Sequence, residues 1–366
     1  MRKDKIFLFL IIILIGISFF VFDLPRRILE IRSDFFFEKI IPRQPTYSKG
    51  IYITFRTAGS ERINEILDLI KRTELNTVVI DVKDFTGYIG FYTQSELLHQ
   101  VGSERNYVSD MEGLIKEFHK QGIYTIARIA VFQDDYLSRK KMDLALKRPN
   151  GNLWLDNKGL GWFDPASQEV WDYNLEIAKE AIKTGFDEIN LDYIRFPSDG
   201  DTSSIVYPFW DYKTPKKEII RQFFEYFSQR IKPMGVYISA DLFGLTLTSP
   251  NDLNIGQWLE DAALYFDYIC PMVYPSHYPP TFLGFENPAE YPYEVIYDAL
   301  KIGNERLASI SSETKLRPWL QDFDMGADYD ANMINLEKKA VYDANAFGWL
   351  LWNPKNIYTE GALIKE

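Results

Sequence analysis

From residue 50 onward one pattern recurs eight times, a short β-branched or aromatic run followed by an amphipathic stretch. The runs are Gly50–Phe55, Thr77–Val82, Tyr124–Ala130, Glu188–Tyr193, Val236–Asp241, Tyr268–Tyr274, Arg317–Asp322 and Phe347–Trp352. Helical spacing lies between them, near 60–72, 109–121, 167–184, 215–231, 254–263, 291–309 and 328–344. Most runs are apolar throughout, as strands are when helices cover a parallel sheet. Ser109-Asp110 ahead of Met111, and Thr214 with Pro215, supply helix starts. Alternating β and α units give a parallel α/β sheet, and eight of them close it into a (β/α)8 TIM barrel. An open doubly wound sheet is the rival, but no GxGxxG follows the first run. About 14 residues follow the last run, so the eighth helix is short or missing, and the 24–48 segment is a candidate to cover the gap.

Ahead of the barrel, Met1-Arg-Lys-Asp-Lys5 precedes an unbroken apolar run from Ile6 to Phe22. Seventeen residues reach the short end of a membrane span and are long for the apolar part of a signal peptide. No small-x-small cleavage site follows, so the run reads as an uncleaved N-terminal membrane-anchor helix. The expected order is a signal anchor over 1–23, a stalk over 24–48 and the barrel over 49–366, with the barrel extracytoplasmic and the membrane a partner. The balance of 41 basic against 52 acidic residues, net charge −11, argues against nucleic acid as a partner. One cysteine and three scattered histidines argue against an intrachain disulfide framework and against a metal site, and no cofactor is expected. The 57 aromatic residues (26 Phe, 23 Tyr, 8 Trp) fit a large core, and equally a set of stacking platforms for sugars.

In such a barrel the chemistry gathers where strands end. Here polar residues end the strands in register: Asp81, Lys83 and Asp84 on the second, Arg128 on the third, Asn190, Asp192 and Arg195 on the fourth. Asp241 ends the fifth, Tyr274 the sixth, Gln321 and Asp322 the seventh, and Trp352 and Asn353 the eighth. Carboxylates on neighbouring strands are the equipment of glycoside hydrolysis, one protonating the leaving oxygen while the other attacks or activates water. Asp192 and Asp241 form the best such pair. Against that stand a structural Asp192 bound to Arg195 or Arg128, and an Asp241 that only caps the Leu242-Phe-Gly244 turn. Asp81, Asp84, Asp322 and Asp324 are further carboxylate candidates. Lys83 and Arg128 are candidates to orient substrate or to hold the carboxylates ionised. Tyr274 and His277 could donate to sugar hydroxyls, and Arg195, Trp319 and Trp352 complete the expected substrate-binding set. Trp349 is a core candidate. The long loop 131–165 contributes Trp154 and Trp162 as candidate subsite walls.

Gly185-Phe-Asp-Glu-Ile-Asn-Leu-Asp-Tyr-Ile-Arg-Phe-Pro197, with Asp156-Asn-Lys-Gly-Leu-Gly-Trp162 before it and Pro271-Met-Val-Tyr-Pro-Ser-His277 after it, resembles a bacterial family of glycoside-hydrolase-like domains of unknown function. The likeness spans about residues 48–354. It implies a TIM barrel distantly similar to the alpha-amylase superfamily, whose fourth strand supplies a nucleophilic Asp and whose fifth supplies the acid/base. On that analogy Asp192 takes the nucleophile position. Asp241 stands where the superfamily has Glu, and Asn190 where it has Arg. A chitinase-type DxxDxDxE laid on Asp187-Glu-Ile-Asn-Leu-Asp-Tyr-Ile194 puts Ile194 in place of the acid, so that chemistry is rejected. The expectation is a glycoside hydrolase acting on a polysaccharide, with a non-catalytic carbohydrate-binding barrel as the alternative. A metal-dependent deacetylase or phosphoesterase would need clustered His and Asp ligands.

Overall fold

The computed structural model describes residues 47–365. The expected anchor over 1–23 and nearly all of the 24–48 stalk lie outside the described residues. Among the described residues no helix is long and apolar enough to cross a membrane.

Eight parallel staves close into a barrel, as the alternation demands. Stave β1 (Ser48–Ile53) pairs with β2 (Thr77–Lys83) on one side and β8 (Gly348–Trp352) on the other. From β2 the ring runs through β3 (Tyr124–Ala130), β4 (Glu188–Asp192), β5 (Tyr237–Phe243) and β6 (Tyr268–Met272). The seventh stave, β7, comes in two pieces, Lys315–Leu316 and Trp319–Gln321, which join β6 to β8. Pro318 sits at the break and has no N–H to give the ladder. The sixth stave stops at Met272, two residues short of the expected Tyr274, where the chain turns at Pro275.

Seven helices cover the staves: α1 (Arg62–Arg72), α2 (Met111–Lys120), α3 (Gln168–Lys183), α4 (Lys216–Ile231), α5 (Leu259–Ala263), α6 (Pro292–Ser309) and α7 (Ala331–Asp343). Each forms because its apolar residues recur on one stripe. In α4, Ile220, Phe223, Phe224, Phe227 and Ile231 are buried, each contributing about 1.5–3 kcal/mol by leaving water. Asp110 caps α2 by accepting from the Gly113 N–H, and Asp330 caps α7 by accepting from Met333. After β8 the described chain makes only one 3-10 turn, Glu360–Ala362, in place of an eighth helix. This tail is tied down by Asn356. Its Oδ1 accepts from the Thr54 N–H at 3.0 Å and its Nδ2 donates to the Tyr52 carbonyl at 3.1 Å. The Glu74 N–H donates to the Leu363 carbonyl, and Lys338 Nζ to the Ala362 carbonyl.

Alternate residues of each stave point into the barrel, where Tyr52, Val79, Tyr124, Ile126, Tyr268, Cys270, Trp319 and Leu350 make an inner core separate from the outer one. At its base Arg317 of β7 meets Glu188 of β4 across the interior, with Nη1 3.1 Å from Oε2 and Nη2 bonded to Oε1. Tyr124 OH donates to the same carboxylate at 3.0 Å and Ser239 Oγ at 2.5 Å. The guanidinium lies 4.4 Å from the Tyr268 ring centre.

Candidate active site

The same inward parity that fills the base brings charge to the mouth. Asp81 on β2, Arg128 on β3, Asp192 on β4 and Asp241 on β5 point inward, and Arg128 stands at their centre. Its Nη1 donates to Asp81 Oδ1 at 2.5 Å, its Nη2 to Asp192 Oδ2, and its Nε faces Asp241 Oδ2 at 3.5 Å. Three carboxylates therefore share one buried guanidinium. Asp192 and Asp241 are no farther apart than the span of that guanidinium and its contacts. Of the two structural readings for Asp192, the contact with Arg128 is present, and it lies inside a cleft of about 460 Å³ at the mouth. Asp192, Asp241, Arg128, Arg195, Tyr274, His277, Trp319 and Trp352 all line that cleft.

The environments of the two aspartates differ. Asp192 is 6% exposed; its Oδ1 accepts from the N–H of Tyr193, at 2.5 Å, and its Oδ2 from Arg128. Tyr193 takes a left-handed backbone, φ 52°, unusual for a bulky residue and the kind of strain that gathers at functional sites. Asp241 is 1% exposed. Its Oδ1 accepts from Asn190 Nδ2 and from Trp319 Nε1, each at 2.8 Å. Burial, reinforced by the neighbouring Asp192 charge, pushes its carboxyl up to about 7 against the pull of Arg128 and the two N–H donors. Burial likewise raises Asp81 to about 6, against Arg128 and the Tyr52 hydroxyl. The Asp241 carboxylate thus faces Asn190, Trp319 and Arg128 inside the barrel, not the Leu242-Phe-Gly244 turn. Among the described residues no group of three or more His, Cys, Asp or Glu is arranged to hold a metal ion.

Several expected site residues sit elsewhere. A register shift between Asp81 and Lys83 turns Lys83 out of the barrel, so it does not line the cleft. There it is 0% exposed, pairs with Asp134 Oδ2 at 2.9 Å and donates to the Ala130 carbonyl at 2.6 Å. Trp162 is buried behind the cleft wall, with Nε1 donating to Asp156 and Arg195 over its ring at 4.9 Å. Trp154 is core, tied to the Asp201 carbonyl, because loop 131–165 pairs with itself through short bridges and packs into the outer core instead of standing open. Trp349 is core as expected. Trp319 reaches the cleft, but its indole N–H is committed to Asp241. Trp352 stacks on Tyr52 at 3.9 Å, with the Arg128 guanidinium 5.0 Å from its ring centre. Asp84 binds Thr86 and Arg56, Asp322 binds Thr359, and Asp324 accepts from Tyr329; none lines the cleft. His277 is exposed at the rim, its Nδ1 3.0 Å from Ser276 Oγ. Since Ser276 Oγ donates to Gln321 Oε1 at 2.7 Å, Nδ1 carries the proton and Nε2 is left as an acceptor. Partial desolvation against the cleft wall and the Lys158 charge lower the His277 pKa.

Sequence reasoning missed Gln133, Asp156, Lys158, Asp199, Phe243 and Met272, which also line the cleft. Phe243 and Met272 share the inward parity of Asp241 and Cys270, a signal the strand register carries. The rest come from loops, where no such period exists.

A family model described as "Putative glycosyl hydrolase domain" matches residues 50–358. Among solved structures, a hypothetical protein from Ruminiclostridium thermocellum ATCC 27405 is 40% identical, the match covering 52% of this chain and 96% of that one at a TM-score of 0.48. The PgaB (BpsB) glycoside hydrolase domain from Bordetella bronchiseptica has a TM-score of 0.61 at 10% identity, covering 84% of this chain and 94% of that one. Eubacterium rectale Amy13B has a TM-score of 0.55 at 11% identity, covering 85% of this chain and 66% of that one. The last two likenesses are of fold alone. No curated protein matches the sequence.

Proposed function

The chain belongs, over residues 50–358, to the family described as "Putative glycosyl hydrolase domain", and on that premise we propose that it cleaves glycosidic bonds of a cell-surface or environmental polysaccharide. One observation carries the reading: two carboxylates from adjacent staves share Arg128 within an open cleft, and burial pushes one of them, Asp241, up to about 7. A carboxyl held protonated by burial beside a second carboxylate can serve as the acid, with its neighbour as nucleophile or stabiliser. Asp241 Oδ1 already accepts two N–H bonds, which leaves Oδ2 to carry the proton. That proton passes to the leaving glycosidic oxygen, and the carboxylate so formed is met by Arg128 Nε. Asp192 answers the positive charge that develops on the sugar, as nucleophile or as stabiliser. In the alpha-amylase pattern an Arg on the fourth strand attends the nucleophile; here that position is Asn190, and Arg128 from the third strand reaches Asp192 Oδ2. Tyr274, Trp352 and His277 form walls for sugar hydroxyls and ring faces.

The test is hydrolysis of a glycan panel by the full chain and by Asp192→Asn and Asp241→Asn. Each substitution should lower kcat by about 10²–10⁴-fold while the fold survives. Unchanged turnover in Asp192→Asn overturns the assignment. The second reading, a sugar-binding barrel without turnover, draws on the near-complete burial of Asp241. Glycan retention without product release by the unsubstituted chain would support it. The apolar run 6–22 supports an anchored, extracytoplasmic enzyme, which protease protection in intact cells would check.

A further inference from the structure

The loop after β4 carries a second guanidinium whose surroundings are unlike those of Arg128. Arg195 is 7% exposed, wedged between Trp162 at 4.9 Å and Phe243 at 4.6 Å from its centre, with Tyr193 at 5.5 Å. Its Nη1 spends both hydrogens on protein, donating to the Phe196 carbonyl at 3.2 Å and Ser198 Oγ at 3.1 Å. Nε and Nη2 find no acceptor among the described residues, yet neither is sealed from solvent as Arg128 Nε and Arg317 Nε are. The residue lines the cleft, and no described carboxylate pairs with it. A buried cation without a counter-ion is costly, and burial does lower the Arg195 pKa despite the charges of Asp192, Asp199 and Asp156. The Nε–Nη2 edge offers two parallel donors, the geometry that grips a planar two-oxygen anion. Lys158 adds a second positive charge to the same cleft. Asp156, also there, is saturated by Gln133, Trp162 and the N–H groups of Lys158 and Leu160. Exposed Asp199 opposes the field from the rim.

We propose that Arg195, backed by Lys158, forms a subsite for the oxyanion of an acidic sugar, a carboxylate or sulfate, so that the substrate is an anionic glycan. This rests on reading the cleft as a sugar site. Three aromatic rings within 5.5 Å and two hydrogen bonds from Nη1 hold the guanidinium in place, so little side-chain freedom is lost on binding. The acidic substituent lies on the Arg195 side of the cleft, beside the bond presented to Asp192.

The experiment titrates the full chain, carrying Asp192→Asn so that nothing is consumed, with oligouronates and sulfated oligosaccharides and with their carboxyl-reduced and desulfated counterparts. At least one acidic probe should bind tenfold or more tightly than its neutral counterpart, with a margin that shrinks as salt rises. Arg195→Gln should erase the margin. Because that variant could disturb the 193–198 loop, Asp199→Asn is measured beside it; removing a negative charge from the rim should widen the margin, which misfolding cannot imitate. Equal affinity for acidic and neutral probes, or an unaltered margin in both variants, overturns the subsite. Cleavage assays with the unsubstituted chain separate the two claims. Acid-selective binding without hydrolysis defeats the hydrolase reading and keeps the subsite; hydrolysis indifferent to charge does the reverse.

Discussion

Asp241 is walled in by Asn190, Trp319 and Arg128, and at that scale pH is the informative variable. The folded chain holds its proton up to about pH 7, whereas the ordinary carboxyl value is 3.8. A raised carboxyl stabilises the fold fully below about pH 4, and that contribution drains away as pH climbs to about 7. Asp81, raised to about 6, contributes in the same direction. The stability of the unsubstituted chain relative to Asp241→Asn should therefore fall between about pH 4 and 7 and then level off, as urea unfolding at several pH values would show. A flat difference would contradict the assignment. Turnover should lose its acid on the same limb, declining above about pH 7. Much at this scale was legible in the sequence. Asp192 and Asp241 follow the two-residue period of their strands, as does Arg128. Arg128's role as shared partner of three carboxylates was not legible, because no local pattern tells which of several neighbouring acids a long side chain will reach.

At the scale of elements, one extra residue in β2 decides the fate of Lys83. The slip between Asp81 and Lys83 pairs Lys83 with Ile129, an outward position, and sends the ammonium beneath α3 to Asp134 and Asn174. Strict alternation would have left it in the mouth. Lys83→Met should cost about 3–5 kcal/mol by stranding the Asp134 charge, read in urea unfolding, and should leave KM unchanged in whatever glycan assay succeeds. A KM defect at full stability would restore the substrate-binding role. Most of the staves and covering helices were readable because their apolar residues keep a regular period. The loops were not, since Trp154 and Trp162 owe their burial to irregular pairings such as Leu155 with Gly161 and Gln133 with Trp162. The strap made by Asn356 was equally hidden, since it joins residues some 300 positions apart.

Across the whole molecule, Arg317 and Glu188 tie β7 to β4, staves nearly opposite in the ring. Glu188→Gln should destabilise the barrel by about 3–5 kcal/mol, because it strands a guanidinium in the interior, whereas replacing both partners with apolar residues should recover much of the loss. Urea unfolding of the single and double variants would decide, and a benign single substitution would deny the pair its structural weight. Glu188 and Asp192 belong to one stave, four residues or about 13 Å apart. The strut at the foot of the barrel therefore shares a stave with one of the carboxylates of the rim. If the cleft acts on sugars as proposed, loosening that pair is a way to alter the spacing of the mouth carboxylates while leaving every wall of the cleft in place.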